Sequence, residues 1–401
     1  MRIGRGTAAL AAGVVVALVV GGCSSGSGKK ASRPASTTRA ARSTTTKSGG
    51  STATSGVTGS KRITHVAVIN LENKSYANTF GPSSPAPYLS KTLPAQGQLL
   101  TQYFGVAHVS LPNYLAEISG QGPSPQTQGD CITYSDFTST GTGDLGQALG
   151  TGCVYPSSVK TIADQLTAKG LTWKGYMEDM ANSATEPKTC RHPALGSPDP
   201  TVVARKGDQY ATRHNPFVYF HSIVDSPDCA KYDVDLNALD ADLASESTTP
   251  NLLFITPNLC HDGHDEPCVD GQPGGLASAD TFLKQWVPKI MGSAAFKDHG
   301  MLVVTFDEAE VVKADKDASV CCNQPAAPNV KQAGVFGDGG GRIGAVILSP
   351  AVKAGTTNDT PYNHYALLCS LEDLFGLDHL GFAAQPGLKC FGSDVYNAGK
   401  A

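Results

Sequence analysis

The strongest constraint in this chain is an apolar run that stops abruptly. Val66-Ala67-Val68-Ile69-Asn70-Leu71 passes straight into Glu72-Asn73-Lys74-Ser75-Tyr76. A run rich in Val, Ile and Leu that breaks into polar side chains reads as a buried strand reaching the edge of a sheet. In open α/β sheets, ligands bind beyond the carboxyl ends of the strands. Glu72 and Asn73 stand at that end. A second run, Met301-Leu302-Val303-Val304-Thr305-Phe306, delivers Asp307-Glu308 in the same way. Two buried strands that each discharge adjacent oxygen donors suit one shared hard-cation site.

The 401 residues carry a net charge of -4, so no strong field points to nucleic acid. The length suffices for one large α/β domain. Before it, Arg2 and Arg5 precede an apolar run from Thr7 to Val20 and then Gly21-Gly22-Cys23. This reads as a signal peptide over residues 1–22, with a lipobox-like end that makes Cys23 the lipidated residue. Residues 24–62 are Ser, Thr, Gly, Ala, Lys and Arg without an acidic residue. They bury too little to offset the entropy of ordering, and with Cys23 form a basic tether over residues 23–62. The folded domain is expected over residues 63–401. Setting Cys23 aside leaves an even number of the 11 cysteines, as expected of disulfides in an oxidising compartment. The near-neighbour pairs are Cys131–Cys153, Cys260–Cys268 and Cys369–Cys390, with the adjacent Cys321 and Cys322 pairing elsewhere. A zinc site is the rival, but there is no CxxC pair.

Strand-like segments at 99–104, 171–177, 251–256 and 343–348 alternate with helical spacing at 88–93, 159–169, 234–243, 279–291 and 364–375. That alternation predicts a doubly wound, mostly parallel sheet covered by helices on both faces. Residues 121–157 and 313–341 read as long insertions. His108-Val109-Ser110-Leu111-Pro112-Asn113 places Ser110 at a helix start, because proline is tolerated in the first turn. Exposed N–H groups there favour an anion.

These strand ends, with Asn258 and the run His261-Asp262-Gly263-His264-Asp265, converge on one chemistry. Oxygen donors suit Mg²⁺, Ca²⁺ or Mn²⁺ in preference to Zn²⁺. A serine beside such a cation becomes a nucleophile, and a histidine protonates the leaving oxygen. Taken singly, Ser110 is only an N-cap, and His214 and His364 are a loop residue and a cap.

Asn70-Leu71-Glu72-Asn73-Lys74-Ser75-Tyr76 resembles the opening motif of the bacterial phosphoesterase family, which holds phospholipase C and acid phosphatase enzymes within the alkaline phosphatase superfamily. Ser110-Leu111-Pro112-Asn113-Tyr114, Thr256-Pro257-Asn258-Leu259 with Asp262-Gly263-His264-Asp265, Thr305-Phe306-Asp307-Glu308, and Asn363-His364-Tyr365 with Glu372-Asp373-Leu374-Phe375 resemble its later motifs, in family order over about residues 63–385. The resemblance implies an alkaline-phosphatase-like fold. It implies Glu72, Asn73, Asp307 and Glu308 as metal ligands, with Ser110 as fifth ligand and nucleophile. His264 and His214 would contact the phosphoryl group or leaving oxygen. Asp262 and Asp265 would orient them, and His108 and His364 would stand behind. Ala309-Glu310-Val311-Val312-Lys313 continues without histidine, which favours an acid phosphatase over a phospholipase-type head-group pocket.

The expectation is therefore a metal-dependent phosphoric ester hydrolase, lipid-anchored on the extracytoplasmic side or secreted, acting on a phosphate monoester or a phospholipid. Oligomeric state has no signature. A phospholipase C-type diesterase is the nearest alternative. A non-catalytic ligand-binding lipoprotein of the same fold is the alternative from another class. A serine esterase lacks its G-x-S-x-G elbow.

Overall fold

The computed structural model describes residues 63–310 and 316–398. The signal peptide, Cys23 and the tether lie outside them. Eight strands form the central sheet: β1 (His65–Leu71), β2 (Gln98–Leu100), β3 (Trp173–Met177), β4 (Asp233–Asp235), β5 (Leu252–Thr256), β6 (Gly300–Phe306), β7 (Ala345–Leu348) and β8 (Thr356–Asn358). Their order is β8-β2-β7-β6-β1-β5-β3-β4. The five strands from β6 to β4 run parallel, and β7 runs antiparallel to both its neighbours. Every residue of β1, β5 and β6 is buried, so both faces of the sheet are covered, as the near-continuous apolar runs require. This is the mostly parallel α/β architecture expected.

The longer helices are α1 (Ser110–Ser119), α2 (Ile162–Ala168), α3 (Gly275–Gly292) and α4 (His364–Phe375). A reciprocal capping box between Thr161 and Asp164 starts α2. All ten residues of α1 are buried, and Gly120, at φ 66°, ends it in the left-handed conformation.

Two local expectations change. The segment 234–243 is not one helix. Asp233–Asp235 adds an edge strand beside β3, and the Asp235 carboxylate accepts from the Asn237 N–H at 2.9 Å to start a short helical turn instead. Strand pairing at the sheet edge outweighs the helical period there. The strand expected over 99–104 is broken at Thr101-Gln102, and Tyr103–Phe104 pairs separately with Tyr362–Asn363.

Five disulfides join the cysteines 131–153, 190–229, 260–268, 321–322 and 369–390. The three near-neighbour pairs agree with the sequence reading. Cys321 and Cys322 pair with each other rather than elsewhere, and Cys190–Cys229 joins segments brought together only by folding. No thiolate is left among these for a zinc site. Cys369 sits inside α4 and ties it to the C-terminal segment. Closing a loop of this size typically stabilises by about 3 kcal/mol. The double variant Cys369→Ser/Cys390→Ser should lose about that amount in chemical denaturation, with a lower midpoint and, because the unfolded chain is no longer cross-linked, a somewhat larger slope.

Candidate active site

The register of three parallel strands builds the site. Leu71 pairs with Phe306, so the next residues, Glu72 and Asp307, leave the sheet side by side. The Asp307 N–H donates to the Leu71 carbonyl at 2.9 Å, and the Glu72 N–H to the Asp262 carbonyl at 2.8 Å. Glu72, Asp262 and Asp307 are thus fixed at one edge by backbone bonds. Gly263 permits this approach: at φ 104° it adopts a conformation that strains other residues, and a Cβ there would stand 3.2 Å from the Glu72 carbonyl. Asn73 also takes a left-handed turn, at φ 55°, which asparagine tolerates. Its N–H donates to Asp307 Oδ1 at 2.9 Å and its amide to Glu72 Oε2 at 2.8 Å.

Ser110 is the first residue of α1 and is buried. Its hydroxyl donates to Glu72 Oε2 at 2.9 Å and also lies against Asp307. One turn along, the Tyr114 hydroxyl donates to Glu72 Oε1 at 2.6 Å, and its ring stacks on His214 at 5.4 Å. The His214 ring stands between carboxylates, with Nε2 3.3 Å from Glu72 and Nδ1 3.4 Å from Asp262. Asp262 accepts from the His264 N–H at 2.7 Å, and Asp265 accepts from the His264 ring at 2.7 Å. His264 is half-exposed at the rim.

Burial dominates the protonation of this cluster. It raises the Glu72 carboxyl well above its ordinary value, and Asp307 and Asp262 raise it further. Asp262 and Asp307 are both pushed up to about 7, chiefly by burial. Burial, then Arg213 and His264, hold His214 well below the usual histidine range. A neutral imidazole has one N–H, so it can satisfy one of its two carboxylate neighbours. Burial works most strongly against a charged His264, but the hydrogen bond to Asp265 and the charges of Asp262 and Asp265 together raise its affinity for a proton overall.

The structure thus brings Glu72, Asn73, Ser110, His214, Asp262, His264, Asp265 and Asp307 to one place. Of the other three, Glu308 is engaged by His108, while His108 and His364 stand behind the cluster, as expected. Glu308 is buried against the His108 ring, whose Nε2 donates to the Asp317 carbonyl at 2.9 Å. His364 lies beneath, with Nε2 2.6 Å from the Asp307 carbonyl and Nδ1 2.7 Å from Glu117. Burial lowers its affinity for a proton, yet Glu117 and then Asp307 raise it overall. It supports the strand end rather than facing the serine.

Three partners carried no role in the sequence reading. Tyr114 is one, hidden in the serine motif. The others are Asp130 and Arg213. Asp130 Oδ1 accepts from the Leu111 N–H at 3.0 Å, and Arg213 Nε stands 4.0 Å from Asp130 Oδ2. Pro112 has no N–H to offer. Of the first three residues of α1, only Ser110 keeps an N–H for an anion, so the helix terminus is a weaker phosphate cradle than its position suggested. Arg213 is the buried cation beside it. Only its place next to His214 could have flagged it.

The phosphoesterase family model matches residues 84–378, well over half of the chain. The chain belongs to the phosphoesterase family. Within it, the chain is similar to a phosphate-repressible acid phosphatase of Penicillium chrysogenum, at 28% identity over 75% of this chain and 57% of that protein. It is also similar to a phosphatidylinositol-3-phosphatase of Mycobacterium tuberculosis, at 25% identity over 80% of each chain. The chain spans 57%, 58%, 51% and 62% of the lengths of four fungal and yeast acid phosphatases that it matches. Among solved structures, an alkaline phosphatase superfamily protein from Vibrio parahaemolyticus aligns with 84% of this chain and 72% of its own, at 14% identity and a TM-score of 0.46.

The pocket of this phosphoesterase suits a divalent cation on its own evidence. Asp262 Oδ2, Asp307 Oδ2 and both His214 ring nitrogens are buried without a well-formed hydrogen bond. Such groups are costly unless something satisfies them. Carboxylate, amide and hydroxyl oxygens are the donors that Mg²⁺, Ca²⁺ and Mn²⁺ prefer. Tight His/Cys/Asp/Glu triples among the described residues instead contain disulfide cysteines, as with Cys260, Cys268 and Asp270, which offer no thiolate.

The raised carboxyls set a pH dependence. Asp262 and Asp307 bind protons more tightly folded than unfolded, where the value is 3.8. Their stabilising contribution is complete below about pH 4 and is lost as pH rises through about 7. His214 works in the opposite sense below about 6.5. In chelator, wild-type melting temperature should therefore fall from pH 5 to 8 (chosen to span about 7) relative to Asp307→Asn. Added divalent cation should cancel the difference. Parallel melting curves for the two proteins would remove the basis of this reading.

Proposed function

We propose that the chain is a metal-dependent phosphomonoesterase that works through Ser110. The observation that carries this is the buried Ser110 hydroxyl, held at the head of α1 on Glu72 and against Asp307. Glu72, Asn73, Asp307 and Ser110 would hold a divalent cation, with Glu308 joining only by releasing His108. When bound, the cation stabilises the serine alkoxide and offsets phosphoryl charge. An O–P bond forms from Ser110 as the bond to the leaving oxygen breaks, and the serine proton passes to Glu72 Oε2, which already accepts it in a hydrogen bond. His264, charged and at the rim, gives the leaving oxygen its proton. Arg213 faces the equatorial phosphoryl oxygens. Water then attacks phosphorus and loses a proton to the neutral His264 ring, the bond from phosphorus to the Ser110 oxygen breaks, and Ser110 takes its proton back from Glu72 as phosphate leaves.

Monoester chemistry is favoured over the diester alternative by the relatives, whose names include acid phosphatases and a phosphatidylinositol-3-phosphatase. The non-catalytic alternative would preserve the fold but has no need of a serine hydroxyl bonded to Glu72. Disulfides and the leader-like N-terminus support an extracytoplasmic protein anchored at Cys23. No helix among the described residues is long and apolar enough to cross a membrane.

Ser110→Ala should lose activity on an aryl phosphate by several orders of magnitude, as for loss of a covalent route. Its denaturation midpoint should stay close to wild type, because a helix-start serine contributes about 0.5–2 kcal/mol. Wild type quenched in acid during turnover should carry phosphate on Ser110, read by mass spectrometry. Near-normal activity in Ser110→Ala, or phosphate on a histidine, would reassign the nucleophile. For the anchor, wild type should enter the detergent phase and Cys23→Ser should appear in the medium. Retention of Cys23→Ser on membranes would locate the anchor elsewhere.

A further inference from the structure

Exposed large apolar side chains gather beside the Ser110 site. Val203 is 74% exposed, Ile132 61% and Phe336 52%, with Val202 and Val335 also exposed. They come from three separate segments that hydrogen bonds join into one arc. The Ile132 carbonyl accepts from the Asp199 N–H at 2.9 Å, which sets 130–132 beside 199–203. The Gln128 amide donates to the Gln332 and Ala333 carbonyls, at 2.7 Å each, and ties that pair to the 332–336 loop. Both ends of the arc reach residues flanking the serine. Asp130 holds the Leu111 N–H, and the His108 carbonyl accepts from the Val335 N–H at 3.1 Å.

Cations stand among these apolar groups. Arg205, Lys206, Lys316 and Lys331 are exposed, and Lys316 Nζ lies 4.8 Å from the centre of the Phe336 ring. The carboxylates on the same segments are mostly engaged. Asp199 is buried on Thr201 and Thr212, and Asp208 is paired with Arg191, which leaves Asp338 exposed. Apolar tips interspersed with lysine and arginine are the composition of a surface that sits in the headgroup layer of an anionic membrane. Contiguous exposed apolar side chains on a soluble domain mark an interaction site. Protein-binding patches are rich in aromatic residues, Met and Arg and poor in Lys, whereas this arc carries three exposed lysines, Lys206, Lys316 and Lys331, and a single exposed aromatic ring, Phe336.

We propose that this arc docks the domain on an anionic lipid surface, so that the site takes phosphate esters whose alcohol is held in that surface. The proposal rests on the phosphomonoesterase reading for its chemistry, but docking and turnover are separable. The arc adjoins the reacting serine, so a phosphate projecting from a lipid layer meets Ser110 without leaving the layer. The basic segment 24–62 adds charge attraction without choosing an orientation.

The test uses the unlipidated Cys23→Ser protein, with and without Val203→Ser/Phe336→Ser. Both added substitutions are exposed and outside the serine site. Binding is read by co-sedimentation with phosphatidylcholine vesicles, with and without phosphatidylserine. Turnover of a soluble aryl phosphate is measured alongside, together with a phosphatidylinositol monophosphate in the vesicles. The arc variant should bind mixed vesicles at least about tenfold more weakly, because each lost apolar contact removes roughly that much affinity. It should lose vesicle-substrate turnover in proportion and keep the aryl phosphate rate.

Equal vesicle binding by the two proteins would overturn the proposal. So would binding that salt abolishes but the arc substitutions leave unchanged, which would assign contact to the basic segment alone. A dimer in sedimentation velocity that the arc substitutions dissociate would assign the surface to a second copy instead. Absence of aryl phosphate turnover in the Cys23→Ser protein would count against the reaction, while the vesicle result would still decide the docking.

Discussion

Three carboxylates locked to one sheet edge are the constraint on which the rest of this structure depends. Glu72 and Asp307 leave adjacent parallel strands in register, and the Glu72 N–H is bonded to the Asp262 carbonyl. Separating them would break the central ladder. Two like charges at 4 Å repel by about 4 kcal/mol at an effective dielectric of 20. Burial adds to that cost. The surrounding residues answer with donors: Ser110, Tyr114 and Asn73 on Glu72, and the Asn73 N–H on Asp307. What these donors leave unsatisfied is met by retained protons, or by a cation that displaces them. A site of this kind stores affinity for positive charge in its backbone register.

Ser110 is held by the same kind of buried polar bonds. Asn113, one turn into α1, accepts from the Val106 and Ala107 N–H groups at 2.8 and 3.1 Å and donates to the Ala107 and Val109 carbonyls at 2.9 Å each. One side chain thereby fixes the turn that leads to Ser110. Deeper, Glu117 accepts from Asn70 at 2.8 Å and pairs with His364, which in turn reaches the Asp307 carbonyl. This line couples β1, α1, α4 and the end of β6. Rigid elements position reacting groups better than loops do, and here the serine is on a helix buried along all its length.

How far the site was legible follows from what each residue reads locally. Glu72 and Asp307 were visible because an apolar run has to end, and the polar residue after it is forced to the edge. Ser110 was visible because Pro112 marks a first helical turn. The cysteine pairs at 131–153, 260–268 and 369–390 were visible through short spacing, whereas Cys190–Cys229 joins segments whose proximity depends on β4 pairing with β3. Glu308 shows the opposite failure. Next to Asp307 it reads as a second ligand, but both residues lie in the bend just past β6, where no strand period fixes side-chain direction, and Glu308 meets His108. Tyr114 was within reach, one helical turn after Ser110 on α1; Asp130 and Arg213 have no local pattern, and their places exist only once separate loops meet over α1.

The helix terminus illustrates why such misses carry mechanistic weight. A serine at a helix start invites the inference that backbone N–H groups receive the phosphate. Pro112 removes one of those donors, and Asp130 occupies the next. An acidic side chain at this position is favourable in the free protein, since it complements the positive end of the helix. It would repel an arriving phosphate, were Arg213 not held beside it. Asp130 therefore both satisfies α1 and positions a guanidinium whose charge is available to a dianion. A planar, permanently charged group with several donors matches phosphoryl oxygens better than a single remaining N–H. In the proposed reaction the electrostatics of phosphate recognition would move from the helix backbone to a side chain on a distant loop, where a sequence pattern built on the serine motif has no reason to look.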